Sequence, residues 1–160
     1  MKNLVKVAFV FAMAVIVLAA CSKDQKCVNW LEGADWKVTK LETTDSNGTT
    51  VDEIAAITAQ GLTFDAKFVF DKYSVKNDEN GAATFYTAVT GTIFGIPVNE
   101  LDTMTYDYRI EDDCETVWLK ETGATTGETS TIEEASKSKM VFSSYDSTDR
   151  ETTRITIEKQ

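Results

Sequence analysis

The feature that most constrains this chain is a strict period of two. In Leu62-Thr63-Phe64-Asp65-Ala66-Lys67-Phe68-Val69-Phe70-Asp71 every second side chain is apolar, so Leu62, Phe64, Ala66, Phe68 and Phe70 share one face. Met104-Thr105-Tyr106-Asp107-Tyr108-Arg109-Ile110 repeats the pattern, with Thr105, Asp107 and Arg109 toward water. A strand shows successive side chains to opposite faces, so these segments read as half-buried antiparallel strands with one wet side. Looser alternation runs over 36–43, 72–77, 83–94, 115–121, 138–145 and 152–159. Between the runs lie Ser46-Asn47-Gly48 and Glu79-Asn80-Gly81, whose Asn-Gly pairs suit hairpin turns, and a polar connection holding Gly123 and Gly127. The pattern predicts an all-β domain of about eight short strands, either an antiparallel up-and-down barrel or a β-sandwich. One short helix is predicted over 51–60: Thr50-Val51-Asp52-Glu53 has capping-box spacing, Ile54 and Ile57 share a face, and Gly61 can end it. A further candidate helical turn lies at Ile132-Glu133-Glu134-Ala135.

The N-terminus carries an address. Lys2 and Lys6 precede a charge-free apolar run from Val7 to Ala20, which closes on Leu18-Ala19-Ala20-Cys21. A cationic start, a short apolar stretch and a small-residue cleavage site, in that order, make a signal peptide. The run is too short for a permanent span, since crossing roughly 30 Å of hydrocarbon takes about 20 residues. Leu-Ala-Ala-Cys resembles the lipobox of bacterial lipoproteins. That resemblance implies cleavage between Ala20 and Cys21, diacylglycerol on the Cys21 thiol, and a fatty acid such as palmitate on its new amine. One chain holds a protein only marginally, whereas two or three make attachment effectively permanent. Ser22-Lys23-Asp24-Gln25-Lys26 reads as a polar tether. Ser22 after the cysteine is similar to outer-membrane sorting signals, and the Lys-Asp pair to the charged surface-export signals of gut-type diderm lipoproteins. The expected organisation is a signal peptide over 1–20, a lipid-anchored tether over 21–27 and one β domain over 28–160. The expected location is the cell envelope, on the periplasmic or exterior face of the outer membrane.

Charge and composition narrow the chemistry. The chain has 26 acidic and 16 basic residues, a formal −10, and the leader removes two lysines and no acid. Such a field repels phosphate backbones and anionic head groups, which argues against nucleic-acid binding and leaves membrane attachment to the acyl chains. There is no histidine, so Ser-His-Asp and Cys-His nucleophile systems are excluded along with the commonest metal ligand. With Cys21 acylated, Cys27 and Cys114 remain, too few for a structural zinc site but expected to pair outside the cytoplasm. Glu111-Asp112-Asp113-Glu115 and Glu133-Glu134 read as solvated turns rather than catalytic carboxylate pairs. Asp45-Ser46-Asn47-Gly48 lacks the later glutamate of a calcium loop. No catalytic residue, metal or cofactor is assigned, and a non-enzyme is expected.

Trp30-Leu31-Glu32-Gly33-Ala34-Asp35-Trp36-Lys37-Val38 resembles the opening strand of bacterial lipocalin-like lipoproteins, where a glycine shortly precedes a tryptophan after a short turn of helix. Gly33 and Trp36 match, with two residues between them where the usual motif has one. The resemblance implies that Trp36 plugs the closed end of an eight-stranded barrel, often beneath an arginine from near the chain's end. Arg154 stands where that arginine would be, but Ile155 and Ile157 alternate onto one face and so turn Arg154 to the other. A barrel of eight strands is filled by its own side chains or holds one small ligand. Phe64, Phe68, Phe70, Phe85, Tyr106 and Tyr108 are the rings that would line an apolar pocket, its mouth shaded by 51–60. The function expected is binding of a small apolar ligand on a lipid anchor. The alternative is an envelope protein-interaction module with a filled core, presenting an apolar patch or an open strand edge.

Overall fold

A computed structural model describes residues 23–75 and 80–160. The leader, the Ala20–Cys21 cleavage site and Cys21 itself lie outside the described residues, as do 76–79. A first helix, α1, runs over 23–31. The remaining elements are β1 (Asp35–Thr44), β2 (Thr50–Asp52), α2 (Glu53–Ala59), β3 (Leu62–Phe70), β4 (Gly81–Ile93), β5 (Ile96–Glu111), β6 (Thr116–Glu121), β7 (Glu128–Ala135), β8 (Lys139–Asp146) and β9 (Glu151–Lys159). All pairings between them are antiparallel and follow chain order from β3 to β9. β9 then returns to β1, from Trp36↔Lys159 to Thr44↔Thr152, and closes the sheet on itself. The sandwich alternative is thereby removed: this is an eight-stranded up-and-down barrel with β2 as an added strand. On its other edge β1 is shared. Its first three residues pair with β3, and Glu42, Thr43 and Thr44 pair with β2. α2 packs over the place where the two pairings part.

Register tells which residues look inward, because directly opposed residues lie on one face of the sheet. Phe70↔Ala83↔Tyr106, Phe68↔Phe85↔Met104 and Leu62↔Gly91 carry the alternation of β3 across to β5. Tyr108↔Leu119 and Ile110↔Val117 carry it into β6. Phe142↔Ile155 and Met140↔Ile157 bring it round to β1 through Leu41 and Val38.

Several expectations are corrected. Residues 72–75 form no strand; Tyr73 there is buried, and its hydroxyl accepts a hydrogen bond from the Ile110 amide at 2.6 Å. β7 occupies the stretch expected to be a polar connection and a helical turn. A bulge between Ile132 and Glu134 inserts Glu133 and shifts the register. Ile132 and Ala135 then both face inward although they stand three apart, a spacing that mimics a helix. α2 is capped by Asp52, whose carboxylate accepts from the Ala55 amide at 3.1 Å, rather than by Thr50.

The first helix is the largest departure, since the sequence predicts one helix and the described residues form two. Segment 21–27 reads as a tether because it is polar, yet Cys27, Val28 and Leu31 are buried against the barrel. Their spacing places them on one helical face, with Lys23 and Lys26 left in water. Gly33 follows at φ 70°, a left-handed conformation that ends the helix and turns the chain into β1. The packed domain therefore begins at α1, not at residue 28.

The β4–β5 hairpin turns at Phe94-Gly95, with φ 49° and 83°. Two left-handed residues in a two-residue loop match strand twist, and Asn-Gly is the preferred pair. A phenylalanine there carries a steric cost of about 1 to 2 kcal/mol. Phe94→Asn is expected to raise unfolding free energy by about 0.5 to 1 kcal/mol, read from the urea midpoint at unchanged slope.

Candidate functional site

One end of the barrel is sealed. Trp36, Tyr108, Leu31, Met140, Ile157 and Val28 are fully buried there, and Phe70, Ala83 and Val117 lie beside them. These residues come from the start of β1, β4, β6 and β8 and the end of β3, β5 and β9, with α1 laid across. The Trp36 indole N–H donates to the Leu31 carbonyl at 2.8 Å, satisfying a backbone acceptor at the end of α1. The Tyr108 hydroxyl donates to the Asp71 carbonyl at 2.8 Å, and burial holds this phenol's pKa far above its ordinary value. Cys27 is bonded to Cys114 with a Cα–Cα distance of 6.2 Å, as the cysteine pairing predicts. The Asp24 carboxylate accepts from the Cys114 amide at 2.6 Å.

Trp36 stands in this floor, and Arg154 does not lie over it. Arg154 faces outward and joins Glu133 at 2.7 Å and Glu42 at 3.2 Å. The cation nearest the Trp36 ring is Lys159, 5.9 Å from its centroid. Lys159 carries no signal in the sequence, because it lies beyond the last apolar pair of β9, yet Trp36↔Lys159 is the final register of the closing seam.

Gly81 belongs to the same floor. A Cβ there would overlap Tyr108 Cε1 and stand 2.6 Å from Tyr73 Cδ1. Both rings are buried and each is hydrogen-bonded, so neither can swing away. Gly81→Ala is expected to cost about 1 to 3 kcal/mol by overpacking, measured as a lower chemical-denaturation midpoint.

Above this floor the interior changes character. Phe64, Phe68, Phe85 and Tyr106 project inward and pack against the core cluster, yet remain partly exposed, as do Leu119, Phe142 and Ile155. An inward-facing ring reaches solvent through the open end or through the gap in the wall where β1 leaves β3 for β2. Of the six predicted lining rings, Phe70 and Tyr108 are instead sealed in the floor, 4% and 0% exposed. Phe68 stacks on Phe85 at 4.3 Å between centroids and on Phe70 at 5.6 Å, and Phe70 meets Tyr108 edge-on at 5.1 Å. One continuous aromatic ladder therefore joins floor to wall. At the mouth, a cavity of about 510 Å³ is lined by Glu128, Ser144, Asp146 and Thr153 from the ends of β7, β8 and β9, with Thr129, Tyr145 and Ser147.

Among the described residues no group of histidine, cysteine, aspartate or glutamate is arranged to hold a metal ion. Among them, too, no helix is long and apolar enough to cross a membrane. No protein-family model and no curated protein matches this chain. Among solved structures it is similar to a redesigned β-barrel, at 14% identity and a TM-score of 0.43, over 84% of this chain and 95% of that one. The barrel assignment rests on the strand pairing and the closing seam described above.

Proposed function

We propose that this chain is a bacterial lipoprotein of lipocalin-like build, acylated at Cys21, whose barrel carries a small apolar ligand in its open half. The observation that carries this reading is the contrast inside one barrel. The lower rings are sealed, whereas Phe64, Phe68, Phe85 and Tyr106 point inward and stay partly exposed. A protein that only needed a filled core would bury them completely, gaining the remaining fraction of the roughly 1.5 to 3 kcal/mol that full burial of such a side chain is worth. Ligand sites are apolar concavities with a few polar groups at the opening, and this half of the barrel has that make-up.

Anchoring and barrel combine into an orientation. The described part of α1 begins at residue 23 on the sealed end, and only Ser22 stands between it and Cys21 in the sequence. Two peptide units reach at most about 7 Å. With Cys21 acylated, the sealed end sits against the bilayer and the mouth opens away from it, toward the aqueous side of the envelope.

Native mass spectrometry of protein taken from its own host membranes tests both parts. The expected species starts at Cys21, carries covalent fatty mass and retains one non-covalent apolar guest. Uncut chain in the cytosol without fatty mass would sink the anchor. Acylated barrels that carry no guest and take up no apolar probe would sink the ligand. Cys21→Ala is expected to shift the domain out of the membrane fraction.

A second reading, an envelope interaction module, is favoured by the β4–β5 tip. Phe94 is 100% exposed and Ile96 68%, at the mouth end and so away from the anchor. On this reading Phe94→Ser with Ile96→Ser abolishes capture of a defined envelope partner while the barrel's circular dichroism is unchanged. Retained capture would remove it.

A further inference from the structure

The inner face of the open half is not uniformly apolar. Counting by twos from residues already placed inside, Glu100 and Asp102 follow from Met104 on β5, and Asp146 follows from Phe142 on β8. Glu121 opposes Tyr106, Glu128 opposes Leu119, and Glu151 opposes Asp146. Glu121, Glu128, Asp146 and Glu151 thus stand on the inner side at the mouth ends of β6 to β9, and Asp102 and Glu100 carry the same face onto the part of the β4–β5 hairpin that extends beyond the β6 pairing. No lysine or arginine occupies an inward position in this half among the described residues. Arg150 lies in the turn between β8 and β9, one position outside the inward register.

The barrel's outer wall is organised differently. Asp65, Asp35 and Asp107 are each joined there to a lysine at 2.6–3.1 Å, and Glu42 and Glu133 share Arg154. None of the six rim carboxylates makes an ion pair among the described residues. These five wall acids are paired with cations, while those around the opening are not.

Their field enters the cup. Tyr106 stands on the wall between rings and rim, and its phenol is pushed above its ordinary pKa first by burial and then by Glu121, Asp102 and Glu128. Three strands therefore direct charge onto one inward ring. A cleft lined by charge of one sign, with low-dielectric walls, concentrates counter-charge at its opening.

Resting on the reading that the open half binds a ligand, we propose that its occupant is an amphipathic cation, with an apolar body held among Phe64, Phe68 and Phe85 and a positively charged amine or quaternary ammonium head at the rim. The partition matches the site: rings lie deep and carboxylates lie shallow. A cationic head also gains from Tyr106, since an aromatic face attracts positive charge. A carboxylate-headed molecule such as a fatty acid meets the same apolar wall but a repelling rim.

The test uses the full mature chain in a nonionic amphipol and three fluorescent probes sharing one naphthylmethyl body, with trimethylammonium, hydroxyl or carboxylate heads. The ammonium is expected to bind about tenfold tighter than the alcohol, and the carboxylate more weakly than either. Raising salt from about 20 to about 500 mM should narrow that spread and leave alcohol binding nearly unchanged. Asp102→Asn, Glu121→Gln and Glu128→Gln together should bring the ammonium down to the alcohol's affinity. Equal affinities for the three probes, or a preference that neither salt nor the triple variant alters, would overturn the charge selection while leaving the apolar cup standing. Failure of all three probes to bind would overturn the cup itself, and the selection with it.

Discussion

Reducing the Cys27–Cys114 bond is expected to lower the unfolding free energy by about 4 kcal/mol, more than most single substitutions in this chain. The bond closes a loop between positions 87 apart, and denatured chains lose most entropy when a long loop is tied. Local structure at the bond adds to this. Asp112, Asp113 and Cys114 take φ 57°, 59° and 67° in succession, a run of left-handed residues without a glycine. Such a turn persists only where its surroundings hold it. Three contacts do so: the disulfide, the Asp24 carboxylate on the Cys114 amide, and the Lys23–Asp113 pair at 3.5 Å. The first also fastens α1, whose Val28 and Leu31 close the floor. Denaturant melts with and without reductant measure the loss. A change below about 1 kcal/mol would mean that α1 and the turn hold without the bond. Asp24→Ala should cost less after reduction than before, because both contacts act on one turn.

Trp36→Ala is expected to cost about 3 to 5 kcal/mol. The ring is fully buried at the centre of the floor, beside the closing seam and under α1. Truncation leaves a void that the barrel cannot collapse to fill, because each wall strand is pinned by two neighbours. It also strands the Leu31 carbonyl, whose partner is the indole N–H. Trp36→Phe separates the terms: most of the volume stays and the donor goes, for a loss nearer 1 to 3 kcal/mol. Equal losses in the two variants would show that the hydrogen bond, not the volume, dominates. The mouth lies on the far side of the floor, so a surviving Trp36→Phe barrel should still take up the neutral naphthyl alcohol.

How much of this was legible beforehand follows from where the period of two holds. β3 and the second half of β5 were plain, since one face is apolar and the other polar from end to end. The first half of β5 was hidden, because Glu100 and Asp102 put charge on the inner face near the mouth and erase the alternation that marks a strand. The same substitution of charge for grease creates the rim, so the stretch that defeated pattern reading belongs to the proposed site. β7 was lost to the Glu133 bulge. The hairpin tip gives no signal because Phe94-Gly95 is not a favoured turn pair, and the strand expected over 83–94 takes in its first residue. α1 escaped because its polar face dominates a short segment. The Cys27–Cys114 disulfide is legible from the sequence, because two cysteines left outside the cytoplasm have few options. Six rings were expected to act alike; strand register, invisible in sequence, sends Phe70 and Tyr108 to the floor and leaves four on the wall.

Aromatic side-chain NMR of the protein, titrated with the neutral naphthyl alcohol, tests most directly whether the upper barrel is an accessible apolar cup. Saturable shifts are predicted at Phe64, Phe68, Phe85 and Tyr106, with Phe70 and Tyr108 moving little beneath them. Saturable shifts confined to Phe94 at the hairpin tip, or none at any ring, would contradict it.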